Sequence, residues 1–239
     1  MCHTRLLTTS LVVGLATLAG CEFPAQPSSD IAIVGLQRLD PALCAIDRGG
    51  FTLTSTNAYF PLGVGSRWVY EGMEAGALTR LEITVLDQTE MVGGVTTRVL
   101  EERESADGTP VEVSRNFFAE ASDGTVCYFG EAVDIFENGQ ILHDGSWRAD
   151  APGNRPGIIM PARPRAGMTF QMEFAPGVAE DQGTIKNSGR IRVPAGSFRE
   201  TIRVEEFNPL DGGTGRKVYA KGVGLVIDGP VNLVTVQLP

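Results

Sequence analysis

The stretch Leu81-Glu82-Ile83-Thr84-Val85, followed by Gly93-Gly94 and then Val95-Thr96-Thr97-Arg98-Val99, sets the rhythm of the chain. Apolar and polar residues alternate with a period of two, the signature of a strand with one dry and one wet face. The Gly-Gly pair supplies the positive φ angles of a tight hairpin. Working outward, Asp107-Gly108, Asp123-Gly124 and Asn138-Gly139 continue the series at intervals of 14 to 16 residues. Each interval has room for a strand of about ten residues and its turn. Val111 and Val113 alternate with Glu112 and Ser114, and Ile191 and Val193 with Arg192, in the same way.

Strand-like segments recur at Phe198–Phe207, Arg216–Lys221, Gly224–Asp228 and Asn232–Leu238, parted by Gly- and Pro-containing turns. Long helical patterns are absent. A short helix is expected over Asp40–Gly49, with Asp40 as N-cap, Pro41 at the first position and Gly49 past the end. The reading is therefore all-β: a large antiparallel meander curled into a half-barrel or closed as a barrel, with a two-sheet sandwich as the alternative. One stretch breaks the rhythm, Ala149–Met168, where Pro152, Pro156, Pro161 and Pro164 argue against a central strand. It reads as a long loop whose apolar triplet Ile158-Ile159-Met160 plugs one end of the sheet, or else gates a cavity.

The N-terminus has a different character. Arg5 precedes an apolar run from Leu6 to Ala19, as in a secretory signal. That run is shorter than the ~20 residues a membrane span needs. Leu18-Ala19-Gly20-Cys21 resembles the lipobox of bacterial lipoproteins, which implies acylation of Cys21 and removal of residues 1–20. Glu22, in place of Asp, implies passage to the outer membrane where a cell has two. The expected location is thus a lipid anchor on the cell membrane or outer membrane, facing periplasm or exterior. Residues 21–50 read as the lipidated cysteine, a Pro/Ser-rich tether and a short N-terminal segment, and residues 51–239 as a single β domain.

The formal net charge is −9, so nucleic acid, which recruits Lys and Arg, is excluded as a partner. Once Cys2 leaves with the signal and Cys21 takes lipid, Cys44 and Cys127 remain. In an oxidising compartment they either pair or stay as separate buried thiols.

Three segments resemble a widespread group of bacterial secreted proteins and lipoproteins without an established activity. The first runs from Tyr59-Phe60-Pro61-Leu62-Gly63 to Gly65-Ser66-Arg67-Trp68-Val69-Tyr70-Glu71-Gly72. The second is Pro156-Gly157-Ile158-Ile159-Met160-Pro161-Ala162 with Ala175-Pro176-Gly177-Val178-Ala179-Glu180-Asp181. The third joins Val193-Pro194-Ala195-Gly196-Ser197-Phe198 to Lys217-Val218-Tyr219-Ala220-Lys221-Gly222-Val223-Gly224-Leu225-Val226. The resemblance implies a β-sheet fold in the style of the half-barrels that carry lipoproteins through the periplasm, and no activity.

Catalytic signatures are scarce. After residue 20 the one histidine is His143, which removes every two-histidine metal motif. His143-Asp144-Gly145-Ser146 is close in sequence, but neighbouring strand residues point to opposite faces. Gly-x-Ser-x-Gly, Walker A and EF-hand patterns are missing, and no cofactor motif is present. Glu180 and Asp181, near Glu173, offer oxygens of the kind calcium takes. Trp68 and Tyr70, with Phe117, Phe118, Tyr128 and Phe129, form an aromatic set at strand spacing, either core or the wall of an apolar cavity on the concave side.

These residues point to a non-enzymatic envelope lipoprotein that binds an apolar small molecule or an envelope protein. The alternatives are a structural or assembly role through sheet edges, or an enzyme acting on envelope carbohydrate.

Overall fold

A computed structural model describes residues 35–239; Cys21 and the segment before it lie outside the described residues. The chain begins with β1 (Gln37–Arg38) and two 3-10 turns, Pro41–Cys44 and Ile46–Arg48. The Asp40 carboxylate caps the first by accepting the Ala42 amide at 2.9 Å. Then come β2 (Arg67–Glu74), β3 (Ala77–Val92), β4 (Val95–Ala106), β5 (Thr109–Glu120), β6 (Val126–Glu137) and β7 (Gln140–Leu142). The second half adds β8 (Trp147–Arg148), β9 (Gly157–Met160), β10 (Met168–Gln171), β11 (Gln182–Asn187), β12 (Ile191–Val193) and β13 (Gly196–Phe198). It ends with β14 (Thr201–Phe207), β15 (Thr214–Ala220), β16 (Gly224–Asp228) and β17 (Val231–Gln237).

One sheet of 15 strands takes almost all of them, in the order β1-β10-β11-β14-β15-β16-β17-β2-β3-β4-β5-β6-β7, with β8 and β9 also on β6. Pairing is antiparallel except for β1 on β10. The last strand, β17, lies against β2, so both halves of the chain form one surface. The sheet curls until Gly157 of β9 abuts the Met172 carbonyl and Arg155 bridges to Phe174, but no ladder closes it into a barrel. β12 and β13 form a separate hairpin.

The turn residues act as their chemistry dictates. Asp107-Gly108 and Asn138-Gly139 both hold positive φ at each position (48° and 79°, 50° and 76°), the backbone of a two-residue hairpin turn. Asp123-Gly124 instead sits in a longer connection, where Asp123 accepts the Thr125 amide at 2.9 Å. The registers place the β2–β3, β4–β5, β6–β7, β14–β15 and β16–β17 tips at one end, here the upper end.

The stretch 149–168 departs from the expected loop. Gly157–Met160 is a strand on β6, with Val126 opposite Met160 and Tyr128 opposite Gly157. Pro156 and Pro161 stand just outside it, so their missing N–H groups fall outside the ladder. Ile158 and Met160 are fully buried, and Ile159 points to the inner face instead.

The end that needed closing is sealed elsewhere. Residues 51–62 cross the lower end, bonded through Thr52 to Glu120 and through the Ala58 carbonyl to the Gly222 amide. Phe60 packs edge-on against Phe118 at 5.1 Å between centroids. Residues 37–48, read as lying ahead of the domain, are built into it by β1 and by a Cys44–Cys127 disulfide with Cα atoms 5.5 Å apart.

Candidate functional site

The inner face can be read strand by strand from the registers. Trp68 and Tyr70 of β2 oppose Ile83 and Leu81 of β3; Ile83 opposes Glu102 of β4; Glu102 opposes Ser114 of β5. Across β17, Asp228 of β16 opposes Lys217 of β15, and Glu206 of β14 lies on the same face through Gly215. Apart from Leu81, the side chains named here surround one cavity of about 220 Å³.

Its lower floor is aromatic and its upper wall is acidic. Phe118 stacks on Tyr128 at 4.7 Å, and Tyr128 meets the Trp147 edge at 5.2 Å. The aromatic polar tips are satisfied: Tyr128 donates to Asn116 Oδ1 at 2.5 Å, Tyr70 to the Leu225 carbonyl at 2.9 Å, and Trp68 to the Val223 carbonyl at 2.7 Å. Higher up, seven carboxyl groups face the space: Glu102, Glu112, Glu131, Glu173, Asp181, Glu206 and Asp228. They share a single ammonium, Lys217, which pairs with Asp228 at 2.8 Å and Glu206 at 3.6 Å.

This crowding governs protonation. Burial pushes Glu102 up to about 8; Lys217 pulls the other way, and Asp228, Glu131 and Glu112 add to the rise. Burial likewise pushes Glu131 up to about 7, and it holds Glu173, Glu206 and Asp181 above their usual values. Lys217 loses solvation too, but Asp228 and Glu206 more than offset this and keep it charged well above the ordinary lysine range.

A pH profile follows. Between 4.5 and about 8 the folded protein retains a proton on Glu102 that the unfolded chain has released. Stability should therefore fall as pH rises through that window, and Glu131 acts in the same direction up to about 7. The carboxylates with lowered values, Glu82 and Asp150, add stability as the unfolded chain ionises in the ordinary carboxylate range, and so oppose the trend only at the lower edge of the window. Urea unfolding at pH 5 and pH 8 is expected to differ by about 2–3 kcal/mol in favour of pH 5. A flat or rising profile would contradict the buried, protonated carboxyls.

Of the residues singled out from sequence, Trp68, Tyr70 and Ile159 line the cavity, whereas Ile158 and Met160 are buried on the other side of β9. Phe117 and Phe129 are buried away from the cavity, Phe129 against Phe51. Glu180 and Asp181 separate: Glu180 accepts the Gly177 amide at 2.7 Å, and Asp181 turns to the cavity. Among the described residues no group of three His, Cys, Asp or Glu side chains is placed to hold a metal ion. His143 and Ser146 are both engaged by the main chain of Val133, with His143 also 3.1 Å from Asp134.

Sequence reasoning missed Glu102, Glu131, Glu206, Lys217 and Asp228. The signal was a charge in the apolar phase of a strand: Leu100-x-Glu102 on β4, Ile202-x-Val204-x-Glu206 on β14, Lys217-x-Tyr219 on β15. In the run Glu101–Glu104 the side chains alternate: Glu101 pairs with Arg103 and Arg115 outside while Glu102 points inward.

All three segments of the resemblance deliver side chains here. Phe60, Trp68 and Tyr70 come from the first, Ile159 and Asp181 from the second, and Lys217, Tyr219 and Leu225 from the third. Comparison of the chain with protein-family models, with curated proteins and with solved structures finds no match.

Proposed function

We propose that this is a non-enzymatic envelope lipoprotein, held to a membrane through Cys21, whose curled sheet binds a small molecule with an apolar part. The observation that carries the reading is the cavity with an aromatic floor inside an otherwise filled sheet. At about 220 Å³ it lies below the ~300–1,000 Å³ of pockets for drug-sized ligands, which favours a compact ligand over a long acyl chain. The closed lower end and the satisfied tyrosine and tryptophan tips give the floor a fixed shape, so little ordering is needed on binding.

The test has two arms. Wild-type protein should enter the detergent phase and Cys21→Ser the aqueous phase, since several acyl chains hold a protein nearly irreversibly. In the Cys21→Ser background, benzyl alcohol should bind, and Ser114→Phe, which fills the space between β4 and β6, should abolish that binding while the protein stays folded. Unchanged partitioning would remove the anchor, and no uptake by the unfilled protein would remove the ligand. Glu102 and Glu131, protonated near neutrality, supply the kind of acid that glycoside hydrolysis uses. Turnover of an aryl glycoside by the same preparation would shift the assignment to an enzyme acting on carbohydrate.

A further inference from the structure

Burying carboxyl groups is unfavourable unless they are hydrogen-bonded or paired, and the cavity leaves several of them incomplete. Oδ1 of Asp181 and Oε1 of Glu206 are shielded from solvent and have no partner among the described residues. Glu102, enclosed between β3 and β5, has neither a hydrogen bond nor an ion pair among them. Among the described residues Lys217 is the one cation facing the space, and Asp228 holds it at 2.8 Å. The upper wall thus presents carboxyl oxygens without partners, in the same cavity as aromatic rings whose faces are electron-rich.

Resting on the ligand-binding reading above, we infer that the ligand is a small organic cation, an ammonium group carried on an apolar or aromatic body. Its three N–H donors meet the free oxygens of Glu206 and Asp181, with Glu102 as a further neighbour. Its body lies on the floor made by Phe118, Tyr128 and Tyr219, where ring faces also attract the charge. A bare metal ion suits the site less well, because no three ligating side chains converge among the described residues. An anion meets seven carboxyl groups, and a neutral alcohol offers the shielded oxygens one donor and no charge.

Three isosteric probes separate these cases: benzylamine, benzyl alcohol and benzoate, titrated at pH 7.5 into the full chain carrying Cys21→Ser, with binding read by ligand-observed NMR. Benzylamine is expected to bind about tenfold more tightly than benzyl alcohol, and benzoate more weakly than either. Glu206→Gln and Asp181→Asn should each weaken benzylamine about fivefold and leave benzyl alcohol unchanged. If Glu206→Gln does not fold, Asp181→Asn decides alone, since Asp181 has no ion pair to lose among the described residues. Equal binding of alcohol or acid and amine, or folded variants with unchanged affinity for benzylamine, would overturn the inference and leave ligand binding standing. Failure of all three probes to bind would remove the ligand-binding reading itself.

Discussion

Cys44→Ala and Cys127→Ala, made together, are expected to lower the free energy of unfolding by about 4 kcal/mol. The disulfide joins residues 83 positions apart, and the chain-entropy relation gives about 4.5 kcal/mol for a loop of that length. Both cysteines are fully buried, so the alanines also remove packing beneath the Pro41–Cys44 turn, which rests on β9. The bridge fastens the entering segment to β6, the strand that carries β5, β7, β8 and β9. Urea unfolding of oxidised wild type, reduced wild type and the double variant should place the last two together, well below the first. A difference under about 1 kcal/mol would mean that β1 on β10 and the packing of residues 37–48 suffice without the bond.

The second large effect is expected from Glu120→Ala. Glu120 ends β5 and is nearly fully buried, yet its carboxylate accepts four hydrogen bonds: the Ser55 hydroxyl at 2.8 Å, the Thr56 amide at 2.6 Å, the Thr56 hydroxyl at 2.7 Å and the Asn57 amide at 3.0 Å. Among the described residues no other side chain from outside the segment bonds residues 55–57. Truncation removes the charge-assisted bonds and strands buried donors, a loss of about 3–5 kcal/mol. Because the segment continues into Phe60 and Pro61, the cavity floor should loosen as well. Hydrogen exchange over residues 52–62 should accelerate in the variant beyond the change elsewhere. A stability loss below about 1 kcal/mol, or protection unchanged in that segment, would sink this account of Glu120.

The case of Glu120 also shows where the sequence stops being readable. Its partners lie 63 to 65 residues away, in a stretch without periodicity, and no local pattern announces such a contact. The hairpins were legible because Gly93-Gly94, Asp107-Gly108 and Asn138-Gly139 carry their turn geometry in the residue type. Alternation gave each strand two faces but not which was inner. On β3 the apolar set Leu81, Ile83, Val85 points inward, whereas on β5 Val113 points outward and Glu112 and Ser114 point in. Only the pairing register and the curl of the sheet decide that, and they depend on the whole chain. The same ignorance hid the acidic wall and made Ile158 and Met160 look equivalent to Ile159. Prolines misled at β9, since four of them in twenty residues weigh against a strand unless they fall at its two ends.

The two margins of the great sheet have a bearing on crowding. β1 offers two residues at one margin, and at the other β6 is covered by three short pieces, β7, β8 and β9, of three, two and four residues. A neighbouring copy that tried to add itself to any one of these pieces would gain only a few main-chain rungs, too few to hold against the loss of its own freedom. Many copies packed side by side on one surface would therefore remain separate particles instead of knitting into a fibre.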